Sequence, residues 1–212
     1  MENKEIYSKK KIIIDTDCGS DDAMAIAMAL NDPRYKILMF STVSGNVCME
    51  QATINTLTTI EHAGSYEPPV YKGSSSMLLR DLVYAHETHG RDGMGDIGLV
   101  PHRLKESNGN AVLKMIETLR NSEDGEIDII ALGPLTNIAL AIKVDYEAMK
   151  KVGRIVVMGS AGLGRGNVSP VAEFNIWQDA EAAKILVDSG LKNIMFVGWD
   201  ACLGECMLNP QE

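Results

Sequence analysis

Short apolar runs rich in Ile and Val alternate along the chain with stretches of helical periodicity. A run without a polar break, such as Ile12-Ile13-Ile14, has no wet face, which is the habit of parallel strands covered on both sides. The pattern predicts strands over Lys11–Asp15, Lys36–Val43, Ile127–Leu132, Arg154–Met158 and Asn193–Val197. It predicts helices over Asp21–Leu30, Glu50–Ala63, Ala111–Asn121, Leu135–Val144 and Asp179–Ser189, with Asp32-Pro33 and Gly64 ending two of them. Alternation of this kind implies an open, mainly parallel α/β sheet with right-handed crossovers and helices on both faces. The 212 residues suffice for one domain with a real core, taken as residues 1–212. No repeat and no low-complexity segment is visible. Lys72 to Asn110 is rich in Gly, Ser and charge with weak periodicity. So long an irregular stretch inside a compact domain predicts an active-site loop.

Ligands of open α/β sheets sit at the carboxyl ends of the strands. The polar residues of this chain gather there. The first strand ends in Asp15-Thr16-Asp17-Cys18-Gly19-Ser20-Asp21-Asp22, four aspartates in eight residues. The later ones end in Ser44-Gly45-Asn46, in Gly133-Pro134-Leu135-Thr136-Asn137, in Gly159-Ser160-Ala161-Gly162 and in Gly198-Trp199-Asp200. Carboxylates so close repel one another unless one keeps its proton or a cation lies among them. Oxygen ligands select a hard ion such as calcium or magnesium. The competing reading is helix capping, with Ser20 as N-cap and Asp21 and Asp22 complementing the dipole. That accounts for two carboxylates and leaves Asp15 and Asp17 unexplained, so a metal site is the stronger reading.

Composition narrows the partners. A formal charge of −9 argues against a nucleic-acid backbone, and little Lys or Arg at the strand ends makes a poor cradle for phosphate. A neutral polyhydroxyl ligand held by a cation and amide groups suits such a site. No apolar stretch is long enough to cross a bilayer. Met1 to Lys11 lacks an apolar signal core, and the four cysteines (Cys18, Cys48, Cys202, Cys206) show no C-x-x-C pair. Cytoplasmic residence with reduced thiols and no structural zinc is the expectation.

Five ordered motifs sharpen this. Asp15 to Ala23, Val43-Ser44-Gly45-Asn46, His89-Gly90-Arg91-Asp92-Gly93-Met94-Gly95, Leu132 to Ala139, and Val156 through Gly166-Asn167 and Ala172-Glu173-Phe174-Asn175-Ile176 to Ala183 resemble the inosine–uridine-preferring nucleoside hydrolases. The likeness spans about residues 11 to 200, with Cys18 where the family pattern has Pro. It implies the Rossmann-like architecture of that family and calcium-dependent hydrolysis of the N-glycosidic bond of ribonucleosides to free base and ribose. By resemblance, Asp17 is the general base and a calcium ligand, Asp22 and the Leu132 carbonyl are further ligands, and Asp15 supports that cluster. Asp21, Asn46, Asn167, Glu173 and Asn175 match residues that hold the ribose. His89 matches a pocket histidine near the base and joins Asp17 among the catalytic candidates. A homodimer or homotetramer is implied by resemblance alone. So is a C-terminal segment lying beyond this sequence, with one more calcium-binding aspartate and, in many members, a histidine that helps the departing base. Ala201 to Glu212 holds no match to it. A truncated product, a partner chain that completes the site, and a weakly active variant all fit that ending.

Other assignments compete. Asp15-Thr16-Asp17 after a strand is also similar to haloacid-dehalogenase-like phosphatases, but Ser20-Asp21-Asp22 replaces their continuation and would repel phosphate. Ile26 stands where an EF-hand loop needs its bidentate Glu. A ribose- or nucleoside-binding remnant is the non-enzymatic alternative. His62 reads as a dipole partner at a helix end, and His86 and His102 as loop residues. Met24, Met28 and Met39 read as core filler, and Trp177 as buried behind the site. Phe174-Asn175-Ile176 is strand-like, and Asp200 is equally a site residue or a helix N-cap.

Overall fold

In a computed structural model, described over residues 9–203, six parallel strands form one sheet in the order β3-β2-β1-β4-β5-β6. The strands are β1 (Lys10–Thr16), β2 (Tyr35–Thr42), β3 (Val70–Lys72), β4 (Ile127–Ala131), β5 (Ile155–Met158) and β6 (Ile194–Val197). Between them run α1 (Ser20–Asn31), α2 (Met49–Ala63), α3 (His86–His89), α4 (Ala111–Arg120), α5 (Thr136–Val144), α6 (Tyr146–Met149), α7 (Phe174–Gln178) and α8 (Ala180–Asp188), and a 3-10 turn, Trp199–Cys202, follows β6. The five predicted strands and five predicted helices are present with ends shifted by a residue or two. β3 was missed because three residues, two of them only half-buried, carry no readable period.

Strand order reverses between β1 and β4. Asp15 pairs with Ser41 of β2 on one side and with Ala131 of β4 on the other. A crevice opens beyond the strands at such a reversal, and ligands bind there.

Period-two alternation splits the apolar residues into two cores. Ile13, Met39, Ile129 and Val157 face α4, α5 and α8 with Met115, Leu119, Ile138 and Leu186. Ile12, Ile14 and Phe40 face α1 and α2 with Ile26, Leu30, Leu57 and Ile60. The second core reaches Ile130 and Leu132 and stops, for no residue of β5 or β6 joins it. On that side of the sheet Val156 and Met158 are half-buried, and Met195 and Val197 are 51% and 40% exposed.

One face of α1 is bare as well. Met39 is core, but Met24 and Met28, expected as core filler, are 63% and 71% exposed. Helix α1 is apolar nearly all round, a pattern that asks for cover on more than one side, yet its buried stripe is Asp22, Ala23, Ile26 and Leu30. Two further expectations fail for local reasons. Phe174-Asn175-Ile176 is the first turn of α7 rather than a strand, because the Glu173 carboxylate caps it, accepting from Asn175 N–H (2.8 Å) and Ile176 N–H (3.2 Å). Ser20 is the first residue of α1 and Gly19 its N-cap.

Candidate active site

The β1–α1 turn is built around two buried carboxylates. Asp22 points back into the turn, where its oxygens accept from Thr16 Oγ1 (2.9 Å) and Gly19 N–H (2.9 Å). Asp17, fully buried, accepts the Asn46 N–H at Oδ2 (2.6 Å). Its Oδ1 is buried and has no hydrogen-bond partner. Two glycines make room for it: a Cβ on Gly45 would lie 2.2 Å from Oδ2, and one on Gly133 2.7 Å from Oδ1. Burial pushes the Asp17 carboxyl well above its ordinary range, and the charge of Asp22 adds to this. Asp22 is raised too, by burial first and the charge of Asp21 next, against the pull of its Gly19 and Thr16 donors. Two ionised carboxylates facing each other here carry a large desolvation cost that a cation would relieve.

A third oxygen is the Leu132 carbonyl just past β4, which accepts from Asn175 Nδ2 (2.7 Å). The Leu132 N–H donates to the Asp15 carbonyl (2.8 Å), so the backbone of β1 fixes this strand end. The Asp15 carboxylate itself accepts from Ser41 Oγ and Asn137 Nδ2, and Asn137 also donates to the Thr42 carbonyl and accepts from Ser74 N–H. Its side chain thus ties together the ends of β1 and β2, the following turn and α5. Burial raises the pKa of the Asp15 carboxyl to about 6, against the pull of its Ser41 and Asn137 donors. Among the described residues no group of three or more His, Cys, Asp or Glu side chains is arranged to hold a metal. The donors present are two carboxylates and a carbonyl. They fit a hard ion that takes its other oxygens from water and ligand.

A cavity of about 420 Å³ opens above these groups. Asp21, Asp22, Asn46 and His89 line one side, and Leu132, Asn167, Glu173 and Asn175 the other. The structure therefore brings every candidate residue to one crevice except Asp17, which lies beneath it, and the Asp15 side chain. The Lys72–Asn110 stretch delivers α3 to the rim, where His89 Nδ1 lies 3.1 Å from Ser20 Oγ and 3.9 Å from Asp21 Oδ1. Two lining residues do backbone work as well. Glu173 caps α7 and also receives the Ser160 N–H (3.2 Å), and burial holds its pKa above the ordinary value. Asn167 Oδ1 accepts the Phe174 N–H (2.8 Å).

Phe174, Met158 and Trp199 also line the cavity and were not singled out from sequence. Trp199 stands two residues past the end of β6, and that position is its only signal in the sequence. Trp177 is half-buried with its ring 6.5 Å from Phe174, and it does not line the cavity. Asp200 accepts the Leu163 N–H (3.0 Å) and so anchors the loop after β5. His62 bonds the Thr58 carbonyl through Nδ1 (2.8 Å) in the last turn of α2. His86 stacks on Tyr84.

Residues 12–212 match the family model described as inosine-uridine preferring nucleoside hydrolase. Uridine nucleosidase 1 of Arabidopsis thaliana is 44% identical over 192 residues, which is 90% of this chain and 57% of that protein. The pyrimidine-specific ribonucleoside hydrolase RihB of Escherichia coli O1:K1 / APEC is 38% identical over 187 residues, 88% of this chain and 59% of that one. Among solved structures, the plant nucleoside hydrolase PpNRh1 superposes with a TM-score of 0.84 at 41% identity over 90% of this chain and 60% of its own. A purine-preferring ribonucleoside hydrolase from Gardnerella vaginalis also gives 0.84, at 35% identity, over 90% and 61%. The chain thus spans about three fifths of the length of the relatives it matches.

Proposed function

Because the chain belongs to the inosine-uridine preferring nucleoside hydrolase family, we propose that it binds a ribonucleoside in the crevice above Asp17 and Asp22 and hydrolyses its N-glycosidic bond to free base and ribose. The observation that carries this is Asp17 Oδ1, a buried oxygen without a partner beneath a cavity lined by amides and carboxylates. Asp17, Asp22 and the Leu132 carbonyl would hold a calcium ion. Such an ion would supply a Lewis acid able to bind a ribose diol and lower the pKa of a water. Asp17 Oδ1 would receive the proton of the attacking water. The bond to the base breaks with positive charge growing on the sugar, which the surrounding carboxylates stabilise. Asp21, Asn46, Asn167, Glu173 and Asn175 hold the ribose hydroxyls, and His89 stands on the side of the departing base. Phe174 and Trp199 give the cavity apolar walls that exclude water.

The test is release of reducing sugar from a panel of ribonucleosides in calcium, with and without chelator. Asp17→Asn lowers kcat about 10²–10⁴-fold with little change in KM. No release by the unaltered chain in calcium, or a variant that keeps its kcat, overturns the reading.

A second reading is favoured by one observation, the uncovered apolar flank of α1, β5 and β6 beside the crevice. Here the chain is a ribose-binding remnant, or a subunit whose site another polypeptide completes. Calcium-dependent ribose binding without sugar release, together with a native mass above that of one chain, distinguishes it. A mass of two or four chains with release supports instead the homodimer or homotetramer inferred from family resemblance. Residence in the cytoplasm is likewise an inference. Among the described residues no helix is long and apolar enough to cross a membrane.

A further inference from the structure

Asn55 lies in the middle of α2, 1% exposed, and does not line the cavity. Its side chain nevertheless joins two loops that do. Nδ2 donates one hydrogen to the Cys18 carbonyl (2.9 Å), just before the N-cap of α1, and the other to the Asp92 carbonyl (2.8 Å), three residues past His89. Its Oδ1 is occupied by Gln51 Nε2 (2.9 Å). The amide is therefore fully used, and both carbonyls are held by one nitrogen.

The loop after His89 is rigid within itself. The Asp92 carboxylate accepts from the N–H groups of Met94 (2.7 Å), Asp96 (2.8 Å) and Gly98 (2.9 Å). Asp96 Oδ1 accepts from Arg91 and Asp92 N–H, and Gly95 N–H closes back on the His89 carbonyl (2.8 Å). A loop so knotted moves as a unit; Met94 packs it against the core beside α2, and Asn55 supplies its hydrogen bond to that helix. Gly93 lets it approach: its φ is +76°, and a Cβ there would lie 2.9 Å from Val47 Cγ1 and 3.0 Å from Asn55 Nδ2.

We propose that Asn55 is a positioning residue, whose amide sets the separation between the aspartate turn and the His89 loop and so places His89 against Ser20 and Asp21. The importance of that placement rests on the function proposed above; the clamp itself does not. No other side chain substitutes cleanly. Asp sets carboxylate oxygens against two carbonyls, Ala leaves both without a donor, and Gln is one methylene too long for a buried slot.

Two measurements on the 212-residue chain decide it. Loss of a buried hydrogen bond costs about 1–3 kcal/mol, or roughly 5- to 150-fold in a local opening equilibrium. Hydrogen exchange at residues 90–96 in Asn55→Ala is accordingly expected to rise about 5- to 150-fold, with β1 and β4 amides unchanged. Nucleoside hydrolysis is then read as a double-mutant cycle with His89→Ala. If Asn55 acts through His89, Asn55→Ala lowers kcat/KM about 10- to 100-fold alone and less than about twofold in the His89→Ala background. Unchanged exchange at 90–96, or equal losses in the two backgrounds, overturns the proposal. Gly93→Ala approaches from the loop side without altering α2. It is expected to reproduce the exchange pattern, so a poorly folding Asn55→Ala still leaves the clamp testable. If the unaltered chain hydrolyses no nucleoside, the functional reading fails while the exchange data still decide the clamp.

Discussion

Asp22→Asn should make the metal-free chain more stable and its ion site worse. The Asp22 carboxyl is held at about 7 against an ordinary 3.8. Ionised in the folded chain, it therefore costs about 4 kcal/mol, at about 1.36 kcal/mol per unit. An amide of the same shape removes that cost. It gives back part of the gain, because the charge-assisted bond from the Gly19 N–H is weakened by about 2 kcal/mol. The net is about 2 kcal/mol in favour of the variant at pH 8. For a chain of this length that is about 4–8 °C in Tm. Calcium reverses the ranking. An ion at 100 times its Kd adds about 2.7 kcal/mol to the unaltered chain, while the variant has lost a carboxylate ligand and gains little. The assay is thermal unfolding of both proteins at pH 8, in EDTA and in excess calcium. A variant that melts below the unaltered chain in EDTA would refute the claim that the carboxylates are held at a cost. Equal calcium shifts in the two proteins would refute the assignment of Asp22 to the ion.

The same groups set an unusual pH dependence. Asp15 at about 6 and Asp22 at about 7 are raised above their unfolded values, so the folded chain holds these protons longer, and stability in EDTA falls as pH rises from about 4 to 7. Melts across that range check the sign, and Asp22→Asn flattens the upper part. In Gly45→Ala the new Cβ would stand 2.2 Å from Asp17 Oδ2 and 2.8 Å from Pro134 Cδ. Overpacking there costs about 1–3 kcal/mol and should abolish sugar release, both readable on one preparation by melt and assay. A ribonucleoside should be cleaved much faster than its 2′-deoxy counterpart, because the site is proposed to grip both hydroxyls; equal rates with the two substrates would contradict this. Cys18 is fully buried with its thiol pushed up by burial, so a thiol reagent such as DTNB should modify it only as fast as the chain unfolds.

Much of this protein is legible in the order of its residues. The Ile- and Val-rich runs named the strands: β1, β2 and β4 are apolar because they are covered on both faces, whereas β6 is as apolar yet largely exposed, against the expectation of burial. The polar residues after each run named the functional edge, because parallel strands end together. Asp17, Asp22 and Asn46 stand at that edge by pattern, whereas the Leu132 carbonyl and Asn175 enter only through the family resemblance; the structure places Asp22, Asn46, Leu132 and Asn175 around one cavity. What the chain's order does not contain is which groups share a space. That Asp17 Oδ1 and Asp15 Oδ2 are buried without a partner, while Asp15 Oδ1 is held by Ser41 and Asn137, depends on how β1, β2 and α5 meet. That α1 leaves Met24 and Met28 in water is likewise not written in any period within the helix. Asn55 is silent in sequence for the same reason: it bonds residues 37 positions away on either side. Local pattern records what each segment must bury. Contacts between distant segments are settled only when the sheet is assembled.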